Sequence, residues 1–406
     1  MIVNLFTFTS PIHNHTSVTK ATQSFLKELC AALPNDVRLN LLDTDYQEYG
    51  KADLDLLYIR TGGTEGLFRQ WYESAHPEGP VYLLTSGKSN SLAASMEILS
   101  WLRNRQAQGE ILHGDTTDVT ERIRMLANAH AAIRKLQGQR AGVIGHPSDW
   151  LIASNTDYNL LKQKVGIELV DIPMDELLKE IKKREYPIDA PRRIKTCPSD
   201  YFVGALEIYG ALKRLIDKYH LSALTLRCFD LLSTVKNTGC LALALLNDEG
   251  IPSACEGDIP ALLTMMISKQ LTNITGFQAN PARINPATGE LLFAHCTVPF
   301  NMIRNYQWDT HFESGLGVAV HGELPESAVT IAKVSGDLAR FFAKDAVIER
   351  NQYEQDLCRT QIVVQAPGIG DYFLKNPIGN HHLILPGHHQ KQIEVFMDLL
   401  NSVRSK

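Results

Sequence analysis

Three stretches of the chain carry residue types able to bind a metal ion or move a proton. The first is Ser253-Ala254-Cys255-Glu256-Gly257-Asp258-Ile259-Pro260, followed by the apolar residues 261–266. It reads as the end of a buried strand, a tight turn, and a helix opened by Asp258 and Pro260. Gly257, without a Cβ, suits a left-handed turn. Two carboxylates then stand at the carboxyl end of a strand, where open α/β sheets place their ligands. An ordinary capped strand-to-helix junction has the same spacing. The second stretch, Leu226-Arg227-Cys228-Phe229-Asp230-Leu231, is a strand ending on a carboxylate. The third, residues 378–389, holds His381, His382, His388 and His389, four of the 14 histidines. Carboxylates joined by one imidazole make a hard, oxygen-rich donor set suited to Mn²⁺ or a similar divalent ion. A helix cap at Asp230 and a solvated histidine loop are the alternatives.

These residues need a scaffold, and 406 residues are enough for two or three domains. A hydrophobic content of 44% supports a large interior, and 21% charged residues is ordinary for a soluble globular protein. The net charge of −5 gives no general basic field for nucleic acid, so a small-molecule partner is expected. Seven scattered cysteines with no CxxC pair indicate reduced thiols. Met1–Phe8 reads as a first strand and not as a signal peptide, and no apolar run is long enough for a membrane span. A cytoplasmic location is expected.

Strand patterns at Ile2–Phe8, Val37–Leu42, Leu54–Ile59 and Val81–Leu84 alternate with helical ones at Val18–Leu33, Thr64–Ser74 and Asn90–Gln106. That alternation predicts a parallel sheet covered on both faces. After the helical pattern Val119–Leu136, a second unit of the same kind has strands from Arg140, at Gly166–Val170, Ala223–Leu226 and Ile251–Cys255. The charged segment Leu178–Arg193 reads as a solvated helix running into a loop. Beyond about residue 272, strand patterns dominate: Gly276–Ala279, Leu291–Cys296, Gly317–His321, Val329–Val334 and Thr360–Val364, with a closing helix Gln390–Val403. The predicted fold is therefore α/β. It has two Rossmann-like parallel-sheet domains, 1–137 and 138–272, then a mostly antiparallel, barrel-like β domain, 273–406.

Taken together, Arg227-Cys228-Phe229-Asp230-Leu231, Ala254-Cys255-Glu256-Gly257-Asp258 and Gly379-Asn380-His381-His382-Leu383 resemble, in order and separation, the L-fucose isomerase and L-arabinose isomerase superfamily. Asn90-Ser91-Leu92-Ala93-Ala94 and Cys358-Arg359-Thr360-Gln361 are similar to further segments of that family. The resemblance implies a metal-dependent aldose–ketose isomerase, assembled as a homo-oligomer and acting on a sugar. Its metal ligands fall on Asp230, Asp258 and His381, with Glu256 as ligand in the arabinose-type pattern. It implies proton transfer between C2 and C1 through an enediol, with Asp230, Asp258 and Glu256 as the candidate catalytic carboxylates. Asn380, His382, His388 and Arg227 are the candidates for binding sugar hydroxyls or orienting His381.

Two departures stand out. The chain is shorter than full-length fucose isomerases, and Asp230 follows Cys228 by two residues where relatives often have three. His295, His311 and Glu313 find no match, although His311 and Glu313 would share one face of a strand. A related enzyme acting on a modified sugar, or a sugar-binding protein without turnover, remain the alternatives.

Overall fold

A computed structural model describes residues 1–189 and 194–402. The chain divides into two compact units, Met1–Arg134 with the segment from Val395, and Lys135–Glu394.

In the first unit β1 (Ile2–Phe8), β2 (Arg38–Asp43), β3 (Leu54–Ile59), β4 (Val81–Leu84) and β5 (Gly109–Leu112) form a parallel sheet in the order β2-β1-β3-β4-β5. Its helices are α1 (His15–Ala32), α2 (Glu65–Ala75), α3 (Ser91–Asn104) and α4 (Thr116–Leu136). Strands β3 and β4 are nearly continuous apolar runs because helices cover both faces of such a sheet. The edge strand β5, Gly-Glu-Ile-Leu with one buried residue, is too weakly patterned to be read from sequence.

The second unit opens with β6 (Arg140–Ile144), β7 (Glu168–Ile172), β8 (Ala223–Leu226) and β9 (Ser253–Cys255), again parallel, in the order β7-β6-β8-β9. Helices α5 (Tyr158–Val165), α6 (Met174–Ile181), α7 (Phe202–Tyr219), α8 (Asp230–Thr234), α9 (Cys240–Asp248) and α10 (Ile259–Thr272) accompany it. The charged segment after α6 ends at residues 190–193, which lie outside the described residues.

Six antiparallel strands then close a barrel. They are β10 (Phe277–Asn285), β11 (Glu290–His295), β14 (Ala328–Val334), β15 (Phe341–Gln352), β16 (Thr360–Gln365) and β17 (His382–Pro386), in the order β10-β11-β16-β15-β14-β17. A ribbon of β12 (Asn305–Asp309) and β13 (Ala319–Glu323) lies between β11 and β14 in the chain, and α11 (Gly370–Lys375) and α12 (Gln390–Ser402) follow β16 and β17. Phe277, Phe293, Ile331, Ile362, Val364 and Ile384 pack in the barrel core. The architecture is the two parallel α/β sheets followed by an antiparallel β barrel that the sequence predicts.

Two local expectations change. Part of the histidine stretch is the buried strand β17, held between β10 and β14. His311 and Glu313 do not share a strand. They sit in a reversal where Gly315 N–H donates to His311 O (2.8 Å) and His311 N–H to Leu316 O (2.9 Å). Gly315 (φ 65°) and Gly317 (φ 68°) supply the left-handed backbone that turns the chain back.

The turn between β9 and α10 positions the candidate chemistry. Glu256 and Gly257 both take left-handed conformations, φ 64° and 71°. Gly257 N–H donates to Leu226 O (3.0 Å), and Ser148 N–H donates to Glu256 O (3.0 Å). A Cβ on Gly257 would lie 2.4 Å from His146 O and 2.7 Å from Pro147 Cα, both backbone atoms. Gly257→Ala is therefore expected to cost about 2–3 kcal/mol of stability, read as a lowered midpoint in denaturant unfolding. A midpoint equal to the parent's would contradict this account of the turn.

Candidate metal centre

Asp258 is wholly buried, and its carboxylate has three partners. Oδ1 accepts the N–H of Ala261 at 2.8 Å, capping α10. Oδ2 accepts from His381 Nδ1 at 2.8 Å. Lys333 Nζ from β14, 1% exposed, stands 3.3 Å from Oδ2 and 3.5 Å from Oδ1. An ionised carboxylate only accepts, so His381 Nδ1 must carry the proton. Its Nε2 then points away, 3.5 Å from Glu256 Oε1, buried and without a hydrogen-bond partner.

Strand pairing brings His295 to the same place. Ala279 of β10 lies opposite His382, and Asn280 opposite Ala294. The end of β11 and the start of β17 therefore meet across β10, with the His295 and His381 rings 5.4 Å apart. His295 Nδ1 is engaged by Thr297 Oγ1 at 3.0 Å. Glu256 Oε2 accepts the indole N–H of Trp150 at 2.7 Å. One ligand atom from each of Glu256, His295 and His381 lies within 4.8 Å of the others, a group that could hold a metal ion. Each imidazole has one nitrogen occupied by a fixed partner, which is how protein metal sites orient histidine ligands. The unpartnered His381 Nε2 and the mixed nitrogen–oxygen donors fit a divalent first-row ion.

The electrostatics follow from burial and pairing. Burial works to raise Glu256, but His381, His295 and the Trp150 hydrogen bond outweigh it and hold the carboxyl near 2. Burial likewise opposes ionisation of Asp258, yet Lys333 and His381 keep it well below the usual carboxylate range. His381 is pushed down by burial and further up by Asp258 and Glu256, ending near 9. Burial, helped by the charge of His381, lowers His295 to about 4.

Of the residues singled out in the sequence, Glu256, Asp258 and His381 come together here. Asp230 opens α8 at the neighbouring strand tip, where its Oδ1 accepts from Arg227 Nε at 3.1 Å. Arg227 also clasps Asp149 through two nitrogens, at 2.8 and 3.2 Å. His382 has both nitrogens engaged, by Asn380 O (2.9 Å) and Tyr372 Oη (2.8 Å). Asn380 donates to Asn280 (3.3 Å), and His388 faces Asp345 on β15 at 3.5 Å. His295 and Lys333 are additions to the sequence reading. Lys333 had a signal, as the lone cation in the apolar strand Ala328–Val334. His311 packs its ring 5.4 Å from Phe229 and engages Ser314, outside the cluster.

The structure thus combines two parallel α/β sheets, a barrel and a buried His–His–Glu group that could hold a metal ion. No family model matches the chain. Among curated proteins it is distantly homologous to sulfoquinovose isomerases. That of Clostridium sp. (strain MSTE9) is 26% identical over 189 residues, covering 44% of this chain and 42% of the relative. That of Alkalicoccus urumqiensis is 24% identical over 265 residues, 60% and 59% of the two chains. That of Priestia aryabhattai is 23% identical over 267 residues, 61% and 59%. The chain thus spans 42–59% of the length of these relatives. Among the described residues no helix is long and apolar enough to cross a membrane.

The pKa ordering fixes a pH dependence. Below about pH 9 the metal-free protein carries a protonated His381, which cannot ligate, while Glu256 is ionised and His295 neutral from pH 5 upward. Proton and metal ion then compete for one nitrogen. Affinity for Mn²⁺ should rise about tenfold per pH unit between pH 6 and 8 and level off above 9, with about one proton released per ion bound. Calorimetry in buffers of different ionisation enthalpy measures both; a flat affinity would remove His381 from the ligand set.

Proposed function

We propose that this chain is a metal-dependent aldose–ketose isomerase of the L-fucose/L-arabinose isomerase type. Its proposed substrate is a modified hexose of the kind in its relatives' name, sulfoquinovose. The observation that carries the reading is the buried, unpartnered Nε2 of His381, set against Glu256 and beside His295. The donor set favours Mn²⁺ or a similar ion, held by Glu256, His295 and His381. A bound ion would polarise the sugar carbonyl and offset the negative charge that develops on O1 and O2.

The residues of the chain do the rest. Asp258 holds His381 in one tautomer and orientation, and Lys333 keeps Asp258 ionised in an apolar setting. Trp150 fixes the rotamer of Glu256. Asp230, outside that cluster, is the proposed carrier of the C2 proton. Arg227 pins its Oδ1 and leaves the second oxygen for the substrate. The strand tips bearing Asp230 and Glu256 are adjacent, since Leu226 pairs with Cys255 and the thiols of Cys228 and Cys255 are 3.1 Å apart. Homo-oligomeric assembly is part of the same reading.

The test loads the protein with Mn²⁺ and follows exchange of the C2 proton with solvent deuterium for sulfoquinovose, glucose, L-fucose and L-arabinose. Exchange is expected with sulfoquinovose. Asp230→Asn should keep about one ion per chain and lose roughly 10²–10⁴-fold in exchange rate. Glu256→Gln and His295→Ala should lose the ion itself. Exchange with no sugar, from protein that does hold the ion, would favour a binding protein over an isomerase.

A further inference from the structure

We infer that Trp150 is a specificity-determining residue beside the metal centre, an exposed aromatic platform for the C–H face of the sugar chain. This role rests on the proposed isomerase reading. It supplies what the metal cluster alone does not, a surface for the part of the substrate beyond O1 and O2.

Of the four tryptophans, Trp150 alone is exposed, with 50% of its surface open. A ring of that size is ordinarily covered. Its backbone, by contrast, is pinned on both sides. The Ser148 N–H donates to Glu256 O and the Leu151 N–H to Ser148 O, each at 3.0 Å, and the Leu151 side chain is buried. Arg227 Nη1 donates to Pro147 O at 2.7 Å, and the same guanidinium clasps Asp149. The loop after β6 therefore holds out an open ring from a fixed backbone, so a ligand covering it has little chain entropy to remove.

Two neighbours set where the ring stands. Its N–H donates to Glu256 Oε2 at 2.7 Å, while Oε1 of the same carboxylate lies 3.5 Å from His381 Nε2. One carboxylate thus joins the indole to the cluster that could hold the ion. On its other side Phe229 packs at 4.9 Å with the ring planes 78° apart. Phe229 directly precedes Asp230, the proposed carrier of the C2 proton. In the sheet order β7-β6-β8-β9, the tips that lead to Trp150, to Phe229 with Asp230, and to Glu256 are consecutive. A ligand held by Glu256 and Asp230 then lies beside a wall made of Trp150 and Phe229.

The chemistry of that wall suits a sugar. The face of an indole carries negative charge and favours the polarised C–H bonds of a polyol. The carboxylates of Asp149, Asp230 and Glu256 accept only, and hydroxyl groups are the donors that match them. A hydrocarbon would use the ring and leave those acceptors to water. An organic cation, which also favours an indole face, is the competing occupant.

The test compares Trp150→Phe with Trp150→Leu in the full chain, saturated with Mn²⁺. Both substitutions remove the N–H that holds Glu256, so both should weaken Mn²⁺ binding alike; only the first keeps an aromatic face. The probes are hexitols such as glucitol and galactitol, open-chain polyols that cannot be isomerised. By calorimetry the Leu variant should bind them about tenfold more weakly than the Phe variant. For any sugar that turns over, KM should separate the two variants in the same way, with kcat values within about threefold. Hexitol binding should also change the tryptophan fluorescence of the parent protein and not that of Trp150→Phe, which decides alone if the Leu variant does not fold. The role of Trp150 is overturned if no hexitol binds the parent, if the two variants bind hexitols equally, or if tetramethylammonium binds as tightly and shows the same Phe-over-Leu difference. It is overturned too if Trp150→Leu changes the assembly state in sedimentation and leaves hexitol affinity alone, which would make the ring a contact between copies. Ring-dependent hexitol binding without exchange of the C2 proton would sustain this role and sink the isomerase reading, and exchange with equal variants would do the reverse.

Discussion

The 2.8 Å hydrogen bond between His381 and Asp258 is the constraint on which the second unit turns. Asp258 has no exposed surface, and an ionised carboxylate there is tolerable only if every lone pair is matched. The backbone supplies one partner at the start of α10, where the helix dipole also favours negative charge. Lys333 supplies the second and His381 the third. Helix, barrel strand and histidine are thereby tied to one side chain, so the helix cannot shift without leaving a buried charge unpaired. With His381 protonated, two carboxylates face two cations and the cluster is neutral. An ion bound at His381 Nε2 would have to displace that proton.

A second tie sets the distance between sheet and barrel. Gln278 of β10 accepts the Cys255 N–H at 2.8 Å and donates to Cys255 O at 3.5 Å, so the tip of β9 is held as if by one more strand. Glu256 is the next residue, in a left-handed conformation that non-glycine residues seldom adopt. Backbone strain of that kind persists where the surroundings over-determine it. Here Leu226 O accepts the Gly257 N–H, and the Ser148 N–H and the Trp150 indole both donate to Glu256. The result is a carboxylate aimed across a sheet-to-barrel junction at two imidazoles.

Much of this was legible in the sequence. Alternating strand and helix patterns gave both parallel sheets, and the change of texture after residue 272 gave the barrel. The strand–Glu–Gly–Asp–helix junction was readable because each residue has a local job: Gly257 a left-handed φ, Asp258 a cap, Pro260 the first helical turn. His381 was legible through its neighbours in the Gly-Asn-His motif. His295 and Lys333 were not, because their roles depend on which strands close the barrel, and strand order is a non-local property. His295 reaches the cluster only because β10 lies between β11 and β17. Reading His311 and Glu313 as a strand failed for a local reason, the two left-handed glycines that follow.

A purely structural ion pair would need less than what is present. To bury Asp258 against Lys333 and cap a helix requires no histidine, and a histidine added for packing would have both nitrogens satisfied, as His382 does between Asn380 and Tyr372. His381 is the contrast one residue away. It is equally buried, yet one nitrogen is fixed by a carboxylate and the other faces Glu256 without a bond. Two adjacent buried histidines, one just before β17 and one its first residue, thus differ in how their nitrogens are engaged. In the metal-free protein the Nε2 of His381 carries a proton at neutral pH and faces the Glu256 carboxylate at 3.5 Å. His295 and Glu256 stand around that nitrogen, and together the three could hold a metal ion.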